Sequence, residues 1–113
     1  MSVTERQLPV HAPMNQFPVK GGELVIGGES LSTLAARVGQ TPFYAYDRSL
    51  LRARVAQLRG VLPKGIKLHY AMKANPALGV IAVFAQAGCG FDIVSGGDLD
   101  RVLAAGGRAD KVI

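Results

Sequence analysis

The chain has 113 residues, of which 49% are hydrophobic and 19% charged, enough for one small globular domain and too apolar for a disordered chain. No apolar run reaches the roughly 20 residues of a membrane span. The 13 basic and 8 acidic residues give a net charge of +5; apart from four arginines on one predicted helix the basic residues are scattered, and there is no aromatic interleaving of the kind that binding to nucleic acid requires.

Residues 1–16 mix Glu5, Arg6, Gln7 and His11 with prolines and lack the apolar core of a secretory signal. They are expected to be a disordered leader on a cytoplasmic protein. Leu24-Val25-Ile26 reads as a short strand between two turn signals, Gly21-Gly22 and Gly27-Gly28. Ser30 is suited to cap a helix on which Leu31, Leu34, Ala35 and Val38 share a face and which Gly39 stops. Phe43-Tyr44-Ala45-Tyr46 has the aromatic content of a strand. Asp47 caps the next predicted helix, with an apolar stripe of Leu51, Val55, Leu58 and Leu62. Arg48, Arg52, Arg54 and Arg59 gather on that helix and read as a solvated face.

A strand over 66–73 follows, then an alanine-rich helix over 78–87 stopped by Gly88, then a strand over 91–94. Ser95 and Asp98 stand at the spacing of a capping box, with aspartate in place of the usual glutamate or glutamine. A helix to Ala105 ends at Gly106-Gly107, and Lys111-Val112-Ile113 opens a further strand. This alternation implies parallel strands with helical crossovers, an α/β fold. Ending inside a strand is expected either of a very small open α/β unit or, the favoured reading, of a fragment of something larger. Cys89, the single cysteine, permits no intrachain disulfide and no Cys-His metal spacing, so no metal is expected. It is read as a small residue in a tight turn.

The chemistry concentrates in Tyr70-Ala71-Met72-Lys73-Ala74-Asn75-Pro76. A lysine at the end of a buried strand is costly as an ammonium unless it is paired or neutralised, and a neutral lysine is a nucleophile toward aldehydes. Strand alternation puts His69, Ala71 and Lys73 on one face, and the small Ala71 leaves room beside the amine. The carboxyl end of such strands is where parallel α/β barrels place their chemistry. Asp92, on the next strand, and Asp98, at the following helix start, are carboxylates suited to hold the charge of that amine or to shuttle its proton. Each of these residues also has an ordinary reading: Lys73 as a solvated surface lysine, Asp98 as a helix-start residue, Asp92 as a hydrogen-bonding group, and His69 as structural.

The lysine run resembles the cofactor-lysine motif of the fold-type-III, alanine-racemase-like pyridoxal-phosphate decarboxylases, the diaminopimelate, ornithine and arginine decarboxylase group. The resemblance extends to Thr41-Pro42-Phe43-Tyr44-Ala45-Tyr46-Asp47 and to residues 90–99, Gly-Phe-Asp-Ile-Val-Ser-Gly-Gly-Asp-Leu. It implies the N-terminal part of a (β/α)8 TIM barrel truncated after about two βα units, with residues 17–47 leading into the barrel and 48–113 forming its first part. It also implies pyridoxal 5'-phosphate as cofactor, Lys73 as the residue that binds it as an imine, and Asp92 and Asp98 as catalytic carboxylates. Asp98 falls where the family usually has glutamate, and His69 where it has an apolar residue.

The expected reaction is decarboxylation of a small amino acid by a full-length homodimer, the fragment alone being inactive. Alternatives are diaminopimelate decarboxylase proper, another basic-amino-acid decarboxylase, or a non-catalytic regulatory relative. Pro76-Ala77-Leu78 after the motif differs from the alanine racemase pattern. Residues 15–28 resemble a decarboxylase branch associated with exosortase systems.

Overall fold

The computed structural model describes residues 9–13 and 15–113. Of the expected leader, residues 1–8 and 14 lie outside the described residues, and the rest carry neither helix nor strand. The chain divides into two compact units, one ending at Phe43 and one spanning Tyr44–Ile113.

In the first unit, β1 (Val19–Lys20), β2 (Glu23–Ile26) and β3 (Glu29–Ser30) form an antiparallel sheet in that order. The pairs Lys20↔Glu23 and Ile26↔Glu29 leave two residues for each turn. Those residues are the glycine doublets, with φ of 58° and 79° in the first and 60° and 85° in the second. Positive φ at both central positions is what a type I′ hairpin turn requires, and glycine adopts it without steric cost. Only the middle strand was legible as a pattern, because two-residue strands are too short to show alternation.

Helix α1 (Leu31–Val38) starts as expected: the Ser30 hydroxyl accepts the Thr33 N–H at 3.3 Å. It ends as expected too, at Gly39, whose φ is 81° and whose N–H bonds Ala35 O at 2.9 Å. The Glu23 carboxylate accepts the Ser32 N–H at 2.9 Å, placing negative charge at the helix N-terminus. Glu29 pairs with Arg37 at 2.8 Å.

In the second unit, α2 (Arg48–Val61) is capped by Asp47, which accepts the Ser49 N–H at 2.8 Å. The strand expected over 43–46 is absent. A strand exists only through a hydrogen-bonding neighbour, and this stretch has none among the described residues; Tyr44 is 92% exposed. The remaining elements are β4 (His69–Ala71), α3 (Leu78–Gln86), β5 (Gly90–Asp92), α4 (Gly96–Ala104) and a 3-10 helix over Ala109–Lys111.

β4 and β5 pair in parallel, His69↔Gly90, Tyr70↔Phe91 and Ala71↔Asp92. The strand expected over 66–73 shortens to three residues because its partner is that short. Backbone bonds from Gly90 N to Leu68 O (2.8 Å) and Met72 N to Asp92 O (3.1 Å) extend the ladder at each end. Of the strand expected at 111–113, Lys111 instead ends the 3-10 helix, and only the two residues after it lie beside β5: Val112 bridges Phe91 in parallel, and Ile113 N bonds Phe91 O at 2.9 Å. Helix α2 packs on α3, and α3 on α4.

One sheet face carries Tyr70, Met72, Phe91, Ile93 and Val112 toward the helices, where Met72, Ile81, Phe91 and Val102 form the buried core. Burying each such side chain contributes roughly 1.5–3 kcal/mol. The arginines of α2 do more than meet solvent. Arg52 donates to the Gln86 side chain at 3.3 Å. Arg59 donates to the Ala87 carbonyl at the C-terminus of α3, where a cation complements the helix dipole.

Gly90 is fixed by close approach. A Cβ there would stand 2.5 Å from the His69 ring and 2.6 Å from the Lys111 carbonyl oxygen. Gly90→Ala is therefore expected to destabilise the protein by about 1–3 kcal/mol, read as a lowered urea midpoint. An unchanged midpoint would show that the strands separate freely at this point.

Candidate functional site

Of the residues singled out in the sequence, Lys73, Asp92 and Asp98 lie at or beyond the carboxyl ends of β4 and β5, and His69 begins β4. Lys73 lies beyond β4, in the turn 72–74, and is exposed; the expectation of a lysine within the strand end gives way to one in the turn that follows it. Met72, just before it, is 1% exposed and joined to Asp92 O through its N–H. The backbone entering Lys73 is thus anchored in the core while the amine stands in solvent.

Ala71 and Asp92 are directly paired and share the sheet face opposite Phe91. Asp92 is exposed. Asp98 is placed differently. Ser95 Oγ accepts the Asp98 N–H at 3.2 Å, and the Asp98 carboxylate accepts the Val94 N–H at 3.1 Å. This is the reciprocal pattern of a capping box, reaching one residue further back than usual. The carboxylate of Asp98 is engaged in shaping the β5–α4 turn, and that of Asp92 is on the open face beside Ala71.

The loop after Lys73 is held at several points. Ala74 N bonds Ala71 O at 3.0 Å. The Tyr70 hydroxyl donates to Asn75 O at 3.0 Å, the Asn75 side chain accepts the Ala77 N–H at 3.0 Å, and Arg101 donates to Pro76 O at 3.3 Å. The Tyr70 ring stacks on Phe84 with centroids 4.2 Å apart and meets Phe91 edge-on at 6.5 Å. Of these partners, Asn75 sits in the motif, whereas Tyr70's hydroxyl contact and Arg101 left no local signal in the sequence.

At the opposite, amino end of the strands, Arg59, Lys67, His69, Gly90, Asp110 and Lys111 are among the residues lining a cavity of about 470 Å³. Lys73 is not part of it. Cys89 is buried, which pushes its thiol up from the ordinary range, against the pull of Arg59 and Lys111. That fits a packing role.

A family model described as "Pyridoxal-dependent decarboxylase, pyridoxal binding domain" matches residues 48–113, more than half of the chain. The chain belongs to the pyridoxal-dependent decarboxylase family. The match begins at the first residue of α2. This decarboxylase-family chain is 48% identical over 102 residues to a diaminopimelate decarboxylase of Pseudomonas fluorescens, covering 88% of this chain and 24% of that protein. It is 39% identical over 108 residues to one of Synechocystis, covering 92% and 22%. Among solved structures, a protein from Aquifex aeolicus aligns with a TM-score of 0.75 at 35% identity, covering 85% of this chain and 24% of the other. A diaminopimelate decarboxylase from M. jannaschi aligns at 0.69 and 27%, covering 87% and 24%.

The chain therefore spans about a quarter of the length of these relatives. Its parallel strands and helices are the N-terminal part of the alanine-racemase-like (β/α)8 barrel of this decarboxylase family.

The residues present fit the aldehyde end of the family's cofactor, pyridoxal phosphate. The fit rests on an exposed primary amine at Lys73, a small side chain at Ala71 and a carboxylate at Asp92 on Ala71's face.

Burial pushes the Tyr70 hydroxyl above the ordinary tyrosine range, against an opposing contribution from the Asn75 backbone, and Tyr46 adds a smaller push upward. The fold favours the protonated form, which is also the form that donates to Asn75. The resulting stability is present below the unfolded tyrosine pKa of about 10 and is lost as pH rises through the higher folded value. In an alkaline titration followed by tyrosinate absorbance, one of the three tyrosines should ionise late, and Tyr70→Phe should abolish that step. Coincident ionisation of all three would contradict the burial argument.

Proposed function

We propose that this chain forms the first part of a pyridoxal-phosphate-dependent amino-acid decarboxylase and that Lys73 is the residue that binds the cofactor. The observation that carries this reading is the placement of Lys73, an exposed amine on an anchored turn at the carboxyl edge of parallel strands, inside the family match. When bound, pyridoxal phosphate supplies an electron sink for the pair left on the substrate α-carbon as carbon dioxide departs.

Lys73 Nζ would hold the cofactor and, when not bonded to it, would hold or deliver a proton near the reacting carbon. Asp92, on the face shared with Ala71, supplies negative charge to balance a protonated Nζ. Asp98 acts less directly, by fixing the turn that follows Asp92 and Val94 through its bond to the Val94 N–H.

The relatives named diaminopimelate decarboxylase make diaminopimelate the first substrate to assay, with other basic amino acids next. The family resemblance supports a cytoplasmic homodimer as the working form. Among the described residues, no helix is long and apolar enough to cross a membrane.

Borohydride reduction of the complete enzyme, followed by peptide mapping, should place the cofactor on Lys73. Lys73→Ala should lose that label and about 10²–10⁴-fold in turnover, with the fold retained, because the side chain stands in solvent. Lys73→Arg should fare no better, since guanidinium stays charged and is not a nucleophile. A label on another lysine, or full activity in Lys73→Arg, would overturn the assignment.

A further inference from the structure

Two hydrogen bonds close nested rings around Lys73. The inner one joins Ala74 N to Ala71 O at 3.0 Å, and the outer one joins the Tyr70 hydroxyl to Asn75 O at 3.0 Å. Lys73 lies within both. The outer ring differs from an ordinary turn because its donor is itself fixed by the core: the Tyr70 ring is stacked on Phe84 of α3 and edge-on to Phe91 of β5. A third tether comes from α4, where Arg101 donates to Pro76 O at 3.3 Å. The Asn75 side chain then accepts the Ala77 N–H at the start of α3.

We infer that Tyr70 and Arg101 are positioning residues for Lys73. They set where the turn 72–74 stands relative to the carboxyl edge of β4 and β5, and thereby where the amine meets its aldehyde partner. The inference rests on the cofactor reading of Lys73 and adds residues outside the lysine itself. An exposed, flexible lysine stem places its amine only as well as its Cα is placed. Reaction between groups held in a fixed relation depends steeply on that placement. The Tyr70 contribution reaches the turn from the core, and that of Arg101 from the next βα unit, so the turn is fixed from two directions.

Three variants separate positioning from folding. Tyr70→Phe keeps both ring contacts and removes only the donated bond. Arg101→Met removes the donor, and Arg101→Lys keeps one. In the cofactor-free protein, amide hydrogen exchange should accelerate about tenfold at Ala74 and Ala77 in Tyr70→Phe and Arg101→Met, the scale of one lost hydrogen bond. The Gly90 amide, bonded to Leu68 O in the ladder, should keep its parent rate, and Arg101→Lys should stay near the parent at all three. Capture of pyridoxal phosphate at Lys73, trapped with borohydride, should slow several-fold in the same two variants.

Unchanged exchange at Ala74 and Ala77, or equal acceleration at Gly90, overturns the positioning role while leaving the cofactor assignment intact. Labelling of a lysine other than Lys73 in the parent protein overturns the assignment and the inference with it, even where the exchange pattern holds.

Discussion

The parallel register Tyr70↔Phe91 determines what every neighbouring residue does. It sends Tyr70, Met72, Phe91 and Ile93 toward the helices, and Ala71 and Asp92 toward the open face. A slip of β5 by one residue would reverse its faces, burying Asp92 without a partner and exposing Phe91, now 0% exposed. The large apolar area of Phe91 and Met72 makes such a slip costly, so the core enforces the register and the register places the carboxylate beside Ala71. Gly90 contributes sterically, since the His69 ring and the Lys111 carbonyl leave no room for a Cβ on that strand. Packing on one face of the sheet thus specifies which side chains stand together on the other.

What was legible in the sequence was what is decided locally. Helix starts at Ser30, Asp47 and Ser95 could be read because an N-cap is a bond between a side chain and an amide two or three residues away, and the stop at Gly39 because a left-handed C-terminal residue favours glycine. Strand lengths could not be read so well. Residues 66–73 and 43–46 have strand composition, but pairing with a distant segment decides how much of each becomes strand, and only 69–71 finds a partner in a regular ladder. The candidate site divides in the same way. Lys73 and Asn75 belong to one contiguous motif and Asp92 to another, whereas Arg101 reaches Pro76 across 25 positions, with nothing in the intervening sequence to announce it.

The basic charge of the chain acquires a similar local meaning. Arg59 and Arg101 each donate to a backbone carbonyl in a segment remote in sequence, at Ala87 and Pro76, and Arg52 reaches the Gln86 side chain. A guanidinium is suited to this use because it carries several donors in a rigid plane and stays charged at all relevant pH. The net charge of +5 is thus partly a set of struts between successive βα units, which need no acidic partner and leave few ion pairs to be screened by salt. Among the described residues the ion pairs seen are Arg37–Glu29 and Arg108–Asp110, both at exposed positions, where such pairs contribute about 0–1 kcal/mol.

On the proposed reading of Lys73, its placement in a turn resolves a conflict that a strand position would leave standing. A cofactor-binding amine has to be reachable and mobile along its stem, yet its Cα must be fixed. A central strand residue meets the second need but is enclosed by its neighbours; a loop residue meets the first but wanders. Here Met72 ends the ladder as a buried anchor with its N–H on Asp92 O, and the following residues are retied to Tyr70 and Arg101 within a few positions. Lys73 occupies the short span between these anchors. The apolar core on one side of the sheet and two polar tethers beyond it hold the backbone, while the exposed lysine side chain keeps the freedom that the proposed chemistry would use.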